Sequence, residues 1–185
     1  MRVRPERLSK EILDDIGVRR DERVLAWARG RENDDRTGSR QFVVATTTAL
    51  YVPNEAVTLG DRATTLIRWT RWSWDRVLGV GWDDGELRLR LQPDAGGQVR
   101  ERVFMFDDAG DVPAVVWERV EASIVVSQRL TIAGSHGATA VARRRMGTDD
   151  ISWTVVFDNT DDASRDDLRA RAREALSDLR ISLGI

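Results

Sequence analysis

Residues 77–91, VLGVGWDDGELRLRL, hold an Asp-Gly pair between two stretches of alternating apolar residues, the strongest short-range signature of a β-hairpin. A two-residue turn at Asp84 and Gly85 sets Trp82 against Leu87, Val80 against Leu89 and Leu78 against Leu91 on one face. The other face then carries Gly79 and Gly81 opposite Arg90 and Arg88. A slip of one residue would put leucines against glycines and turn the arginines inward, so the register is well specified. Such a ribbon needs further strands to cover its apolar face.

The remaining sequence supplies them. Residues 23–29, 41–47, 49–52, 64–74 and 99–106 have the β-branched and aromatic content of strands, with Thr47 and Thr48 at a tight turn, Pro53 closing the 49–52 strand and 54–61 as a connection. Phe104 and Phe106 share a face. The polar stretches 30–39 and 93–98 read as loops. Together with the hairpin this makes about seven strands.

Helical spacing occurs in three places. Leu8, Ile12, Leu13 and Ile16 form an amphipathic helix over residues 6–16 ended by Gly17. Asp111 followed by Val112 and Pro113 reads as a helix start, with Val112, Val115, Val116 and Val120 on the buried stripe as far as Ala122. Between 164 and 183, Ser164 and Asp167 resemble a capping box ahead of Leu168, Ala172, Leu176, Leu179 and Leu183. Strands are expected at 123–132, 139–145 and 151–158, a three-stranded meander before the last helix.

Formal net charge is −2 with 32% charged residues, a mixed surface rather than the basic field of a general nucleic-acid binder, so no nucleic-acid partner is expected. The chain has no cysteine, which excludes disulfides and thiolate sites. The charged start MRVRPERLSKEILDDIG has no export-type apolar core and no run reaches the length of a membrane span, so a cytoplasmic location is expected.

No stretch carries a phosphate-cradling glycine loop, a nucleophile elbow or zinc spacing. No cofactor or metal is therefore expected, and an enzyme is not the reading. His136, in AGSHG, reads as a solvated loop histidine. Asp83, Asp84 and Glu86 are explained by turn chemistry, and Asp107, Asp108 and Asp111 by a helix start. In the basic run Arg143, Arg144 and Arg145 the side chains alternate, which suits a solvated sheet face. Trp69, Trp72 and Trp74 are harder to place: Trp72 and Trp74 share one face of an extended strand and Trp69 the other, so a single core cannot take all three without a bend.

The runs DERVLAWAR, FVVATTTALYVP and WDRVLGVGWDDGELRLRL resemble the bacterial branch of the pleckstrin-homology-like family. The resemblance covers roughly residues 20–122. It makes 24–28 the first strand, 42–46 and 50–52 the second and third, and 74–77 the lead-in to the fifth. It implies an antiparallel pleckstrin-homology-like β-barrel capped by a helix. With the N-terminal helix (1–19) and the β-meander and C-terminal helix (123–185) read from the residues, the expected fold is α+β, with that extension packed on the barrel. The tail is similar to the segment beyond the barrel in uncharacterised proteins of GC-rich bacteria.

Phosphoinositide-binding members of that family carry cations around the loop between strands one and two. Here the matching positions are Arg29, Arg31, Arg36 and Arg40, interspersed with Glu32, Asp34 and Asp35. Two functions are therefore expected in order: a non-enzymatic module that recognises a protein partner or itself through Trp69, Trp72, Trp74, Arg88 and Arg90, and, as the alternative, peripheral binding of an anionic lipid or phosphorylated ligand through Arg29, Arg31, Arg36 and Arg40.

Overall fold

The computed structural model describes residues 8, 10–32, 41–59, 64–92, 99–134 and 136–184. The chain divides into two compact units, 1–120 and 121–185. In the first, helix α1 (Lys10–Ile16) precedes strands β1 (Val24–Glu32), β2 (Gln41–Thr46), β3 (Ala49–Leu59), β4 (Thr64–Ser73), β5 (Val77–Asp83), β6 (Glu86–Leu91) and β7 (Arg100–Phe106), and α2 (Val112–Ser123) comes after them. The second holds β8 (Ile124–Ala133), β9 (His136–Arg144), β10 (Ile151–Phe157) and α3 (Asp166–Leu183). No helix among the described residues is long and apolar enough to cross a membrane.

The seven strands form one antiparallel sheet in the order β4-β3-β2-β1-β7-β6-β5. Its two edge strands, β4 and β5, are consecutive in the chain and joined by a single 3-10 turn, Trp74–Arg76. Seven flat strands would hold their edges about 29 Å apart, whereas the four Cα steps from Ser73 to Val77 reach at most about 15 Å. The sheet must therefore curl. Arg102 of β7 also donates across its concave side to the Pro53 carbonyl of β3 (3.1 Å). The ladder itself stays open: among the described residues no pairing joins β4 to β5, so the expected closed barrel is not observed as a hydrogen-bonded cylinder.

Both faces of β1–β3 are covered, which is why FVVA and ALYV read as continuous apolar runs. Ala26, Ala28, Val43, Ala45, Leu50 and Val52 are buried on the concave side. On the convex side Ile16 of α1 packs with Val44, Ala49 and Tyr51, flanked by Trp27, Phe42 and Trp69. Val112, Val116 and Val120, at helical spacing on α2, are buried as well.

The hairpin turn forms as expected, with Asp84 at φ 41° and Gly85 at φ 82°; positive φ at both positions is what a type I′ turn requires. Trp82 pairs Leu87 and Val80 pairs Leu89, but a bulge between Val77 and Gly79 replaces the expected Leu78–Leu91 pair with Val77–Leu91. The extra residue reverses the alternation, so Val77 is fully buried and Leu78 only half-buried. Leu87, Leu89 and Leu91 are sealed, while Trp82, beside the turn on an edge strand, stays 44% exposed and rests against Phe106. β3 also runs on through Pro53 to Leu59, with a bulge between Pro53 and Ala56 that accommodates the proline. Residues 54–59 are thus strand rather than connection.

In the second unit β10-β9-β8 form an antiparallel meander. Ala138, Ala140 and Ala142 are buried on the central strand, and Leu168 and Ala172 are buried on α3. β9 begins at His136, three residues before the expected 139, because Ala133 pairs with His136 across the turn. Ser164 belongs to a 3-10 turn, Thr160–Ser164, capped by the Asn159 side chain, so the expected capping box is absent and Arg165 stands at the N-cap of α3. Gly17 and Gly184, both left-handed, end α1 and α3.

Candidate functional site

Helix α1, the segment after it, the first part of β1 and the 107–111 turn between β7 and α2 border an open groove of about 1230 Å³. Leu13, Val18, Leu25 and Trp27 give it apolar surface. Cations come from Lys10, Arg19, Arg20, Arg23 and Arg29, and carboxylates from Asp14, Glu22, Asp107, Asp108 and Asp111. Trp27 is fixed edge-on to Phe42 (5.6 Å between centroids), and the Arg29 guanidinium lies 5.3 Å from the same ring.

Glu22 anchors the floor. Its side chain is 1% exposed. One oxygen accepts from Arg71 Nε (3.0 Å) and Nη2 (2.7 Å), the other from the Thr46 hydroxyl (2.6 Å). Thr46 in turn accepts from the Thr48 and Ala49 amides, and its carbonyl takes the Trp74 indole N–H (3.1 Å). Arg71 also donates to Thr48 Oγ1 (2.9 Å) and lies 6.0 Å from the Tyr51 ring centre. Burial works against the Glu22 charge, but hydrogen bonds from Thr46, Arg71 and Thr48 and the Arg71 charge outweigh it and hold the carboxyl below the usual glutamate range. Burial and the Glu22 charge push the Tyr51 phenol up. Burial opposes the Arg71 charge too, yet Glu22 raises its affinity for the proton.

Trp69 and Trp72 fall on opposite faces of β4, as the strand period requires, whereas Trp74, expected on the same strand, lies just beyond it. Trp72 is buried on the concave side, paired with Leu50 and with Arg76 5.5 Å from its ring, and Trp74 is fully enclosed in the 3-10 turn. Trp69 is half-buried on the convex side beside α1, its indole 3.4 Å from Asp15 Oδ2. Trp69 is thus the one of the three that keeps part of its surface accessible, while Trp72 and Trp74 are buried. The exposed indoles are instead Trp82 and Trp117, at 44% and 54%. Arg88 and Arg90 lie on the solvent side opposite Gly81 and Gly79, with Arg88 paired to Glu86 (2.5 Å). Arg29 borders the groove, Arg31 belongs to β1, and Arg36 and Arg40 lie outside the described residues.

In the second unit His136 is not a solvated loop residue: its Nδ1 sits 2.8 Å from Oδ2 of Asp162, which is buried. Asp158 and Arg129 form a two-pronged ion pair (2.8 and 2.5 Å) that passes over Gly137. Arg143 is buried and donates to Ser123 Oγ (2.8 Å), so the expected solvated sheet face is lost at that position. Among the described residues no group of three His, Asp or Glu side chains is placed to hold a metal ion.

Of the groove, the sequence alone singles out only Arg29 as a site residue. The available signal is the run VRRDER at 18–23, dense in charge between a helix and a strand; nothing local announces that Asp107, Asp108 and Asp111 border the same space. No protein-family model matches the chain, and no curated protein matches it significantly in sequence.

Proposed function

We propose that this chain is a non-enzymatic interaction module that holds a segment of a protein partner in the groove along α1 and β1. The observation that carries this reading is the groove's composition: an apolar floor with Trp27, bordered by arginines and by carboxylates, at a volume beyond that of ordinary small-molecule sites. Arginine and tryptophan dominate the energetics of protein interfaces, and interspersed charge of both signs suits a polar segment with an apolar anchor. Asp107, Asp108 and Asp111 disfavour the alternative reading, since a headgroup phosphate would meet carboxylates there.

Strand order supports reading the first unit as pleckstrin-homology-like: a four-strand and a three-strand meander joined through β1 and β7, with a helix after the last strand. A fold of that kind does not by itself define a ligand.

The test is a photo-crosslinking amino acid in place of Leu25, inside the groove, and in place of exposed Arg171 on α3 as control. A discrete protein adduct from position 25 alone, lost when Arg19 and Arg20 are changed to Glu, is the expected result. Lipid-only adducts, or equal labelling from both positions, would overturn the reading.

A further inference from the structure

Strand β10, ISWTVVF, is an edge of its sheet, and among the described residues no strand pairs with its free side. It has no charge and no proline, in a chain of which 32% is charged. Edge strands are ordinarily protected by lysine, proline, a bulge or a covering helix. Among the described residues no lysine, proline or bulge protects β10: its pairing with β9 is unbroken from Ile151 to Phe157, α3 packs along β8, the other edge, and the element against β10 besides β9 is the short 3-10 turn that follows it. The nearest carboxylates are drawn back. Asp158 is held over Gly137 by Arg129, and Asp150 is paired with Arg145 (3.5 Å).

We infer that β10 is a self-association edge, on which a second copy of this chain adds its own β10 in antiparallel register to make a six-stranded sheet across a two-fold axis. The strand's own composition selects the second copy as occupant. A two-fold axis at Thr154 sets Trp153 against Val155 and Ile151 against Phe157 of the other copy, and repeats both pairs by symmetry. Each joins an aromatic to a β-branched side chain, the favoured cross-strand combination. Asp150 then comes beside Asp158 of the other copy with Arg145 and Arg129 already neutralising them, so each end of the junction is a balanced group of two acids and two arginines. Seven residues of edge pairing bury less than a standard stable interface, so the dimer is a weak, concentration-dependent one. This is independent of the groove on the first unit.

Sedimentation velocity across the micromolar range tests it. The chain shifts from monomer to dimer with concentration; Thr154→Lys weakens the dimer by about tenfold or more, while Thr131→Lys on exposed β8 does not. Circular dichroism checks that both variants keep their strands. Because the chain has no cysteine, Thr154→Cys provides a second reading: cross-strand neighbours on such an axis are within disulfide reach, so mild oxidation gives a covalent dimer, whereas Val125→Cys on β8 gives none. A strict monomer, open-ended polymers, or equal crosslinking of the two cysteine variants would overturn the inference.

Discussion

Glu22 is nearly sealed from solvent yet keeps its charge because Thr46 and Arg71 converge on its two oxygens. Glu22→Gln removes the charge and leaves Arg71 poorly matched, at an expected cost of about 2–4 kcal/mol in denaturant unfolding. Since the folded carboxyl titrates below its ordinary value, near 4.5, its contribution is complete above that pH and is lost as pH falls through the lower folded value. The acid limb of wild-type stability is therefore steeper than that of Glu22→Gln. This residue was illegible in the sequence: its partner lies 49 positions away, and DER reads as a solvated turn. Two glycines make a sharper contrast. A Cβ at Gly30 would lie 2.7 Å from the Phe106 ring and 3.0 Å from the Met105 carbonyl, so a buried ring or the β7 backbone would have to shift. At Gly137 it would meet only the ends of Asp158 and Arg129. Thermal denaturation should show Gly30→Ala costing about 2–3 kcal/mol and Gly137→Ala less than about 1, the loss of an exposed ion pair.

At the level of elements, the hairpin was legible because turn chemistry and alternation agree, and the parity of Trp69 and Trp72 because a strand's period is fixed at two. The bulge at Leu78 was not, since a bulge changes pairing without changing composition. The run of β3 past Pro53 escaped because the proline is tolerated at another bulge. Helix α1 was visible from its periodicity, but not what it covers. Ile16, its one buried side chain among the described residues, closes the convex cluster of Val44, Ala49 and Tyr51. Ile16→Ala should cost about 2–4 kcal/mol and, because Trp27 and Trp69 flank that cluster, shift tryptophan emission to the red. An unshifted spectrum would mean that α1 does not shield them.

Across the whole molecule, burial is uneven. Val43–Ala45, Leu50–Val52 and the leucines of β6 are almost completely enclosed, whereas Ile181 at the end of α3 is 74% exposed and β10 is at most half-buried. Amide hydrogen exchange should accordingly be slowest in β2, β3 and β6 and fastest in the last turn of α3. In β10 it should slow as protein concentration rises, the signature of pairing with a second copy, and stay unchanged in Thr154→Lys. The α+β class and most strand positions were readable from period and turn residues. The order of strands was not, because β1 meets β7 through residues more than seventy positions apart.

That junction governs how the chain reaches its native state. The meanders β1–β4 and β5–β7 each assemble from sequence neighbours, and among the described residues three strand pairs, Gly30–Phe106, Arg31–Met105 and Glu32–Phe104, join one ladder to the other. Loop closure over such a distance is slow relative to local hairpins, so the seam is expected to form after them, and stopped-flow refolding of Phe104→Leu should show a slower phase if it does.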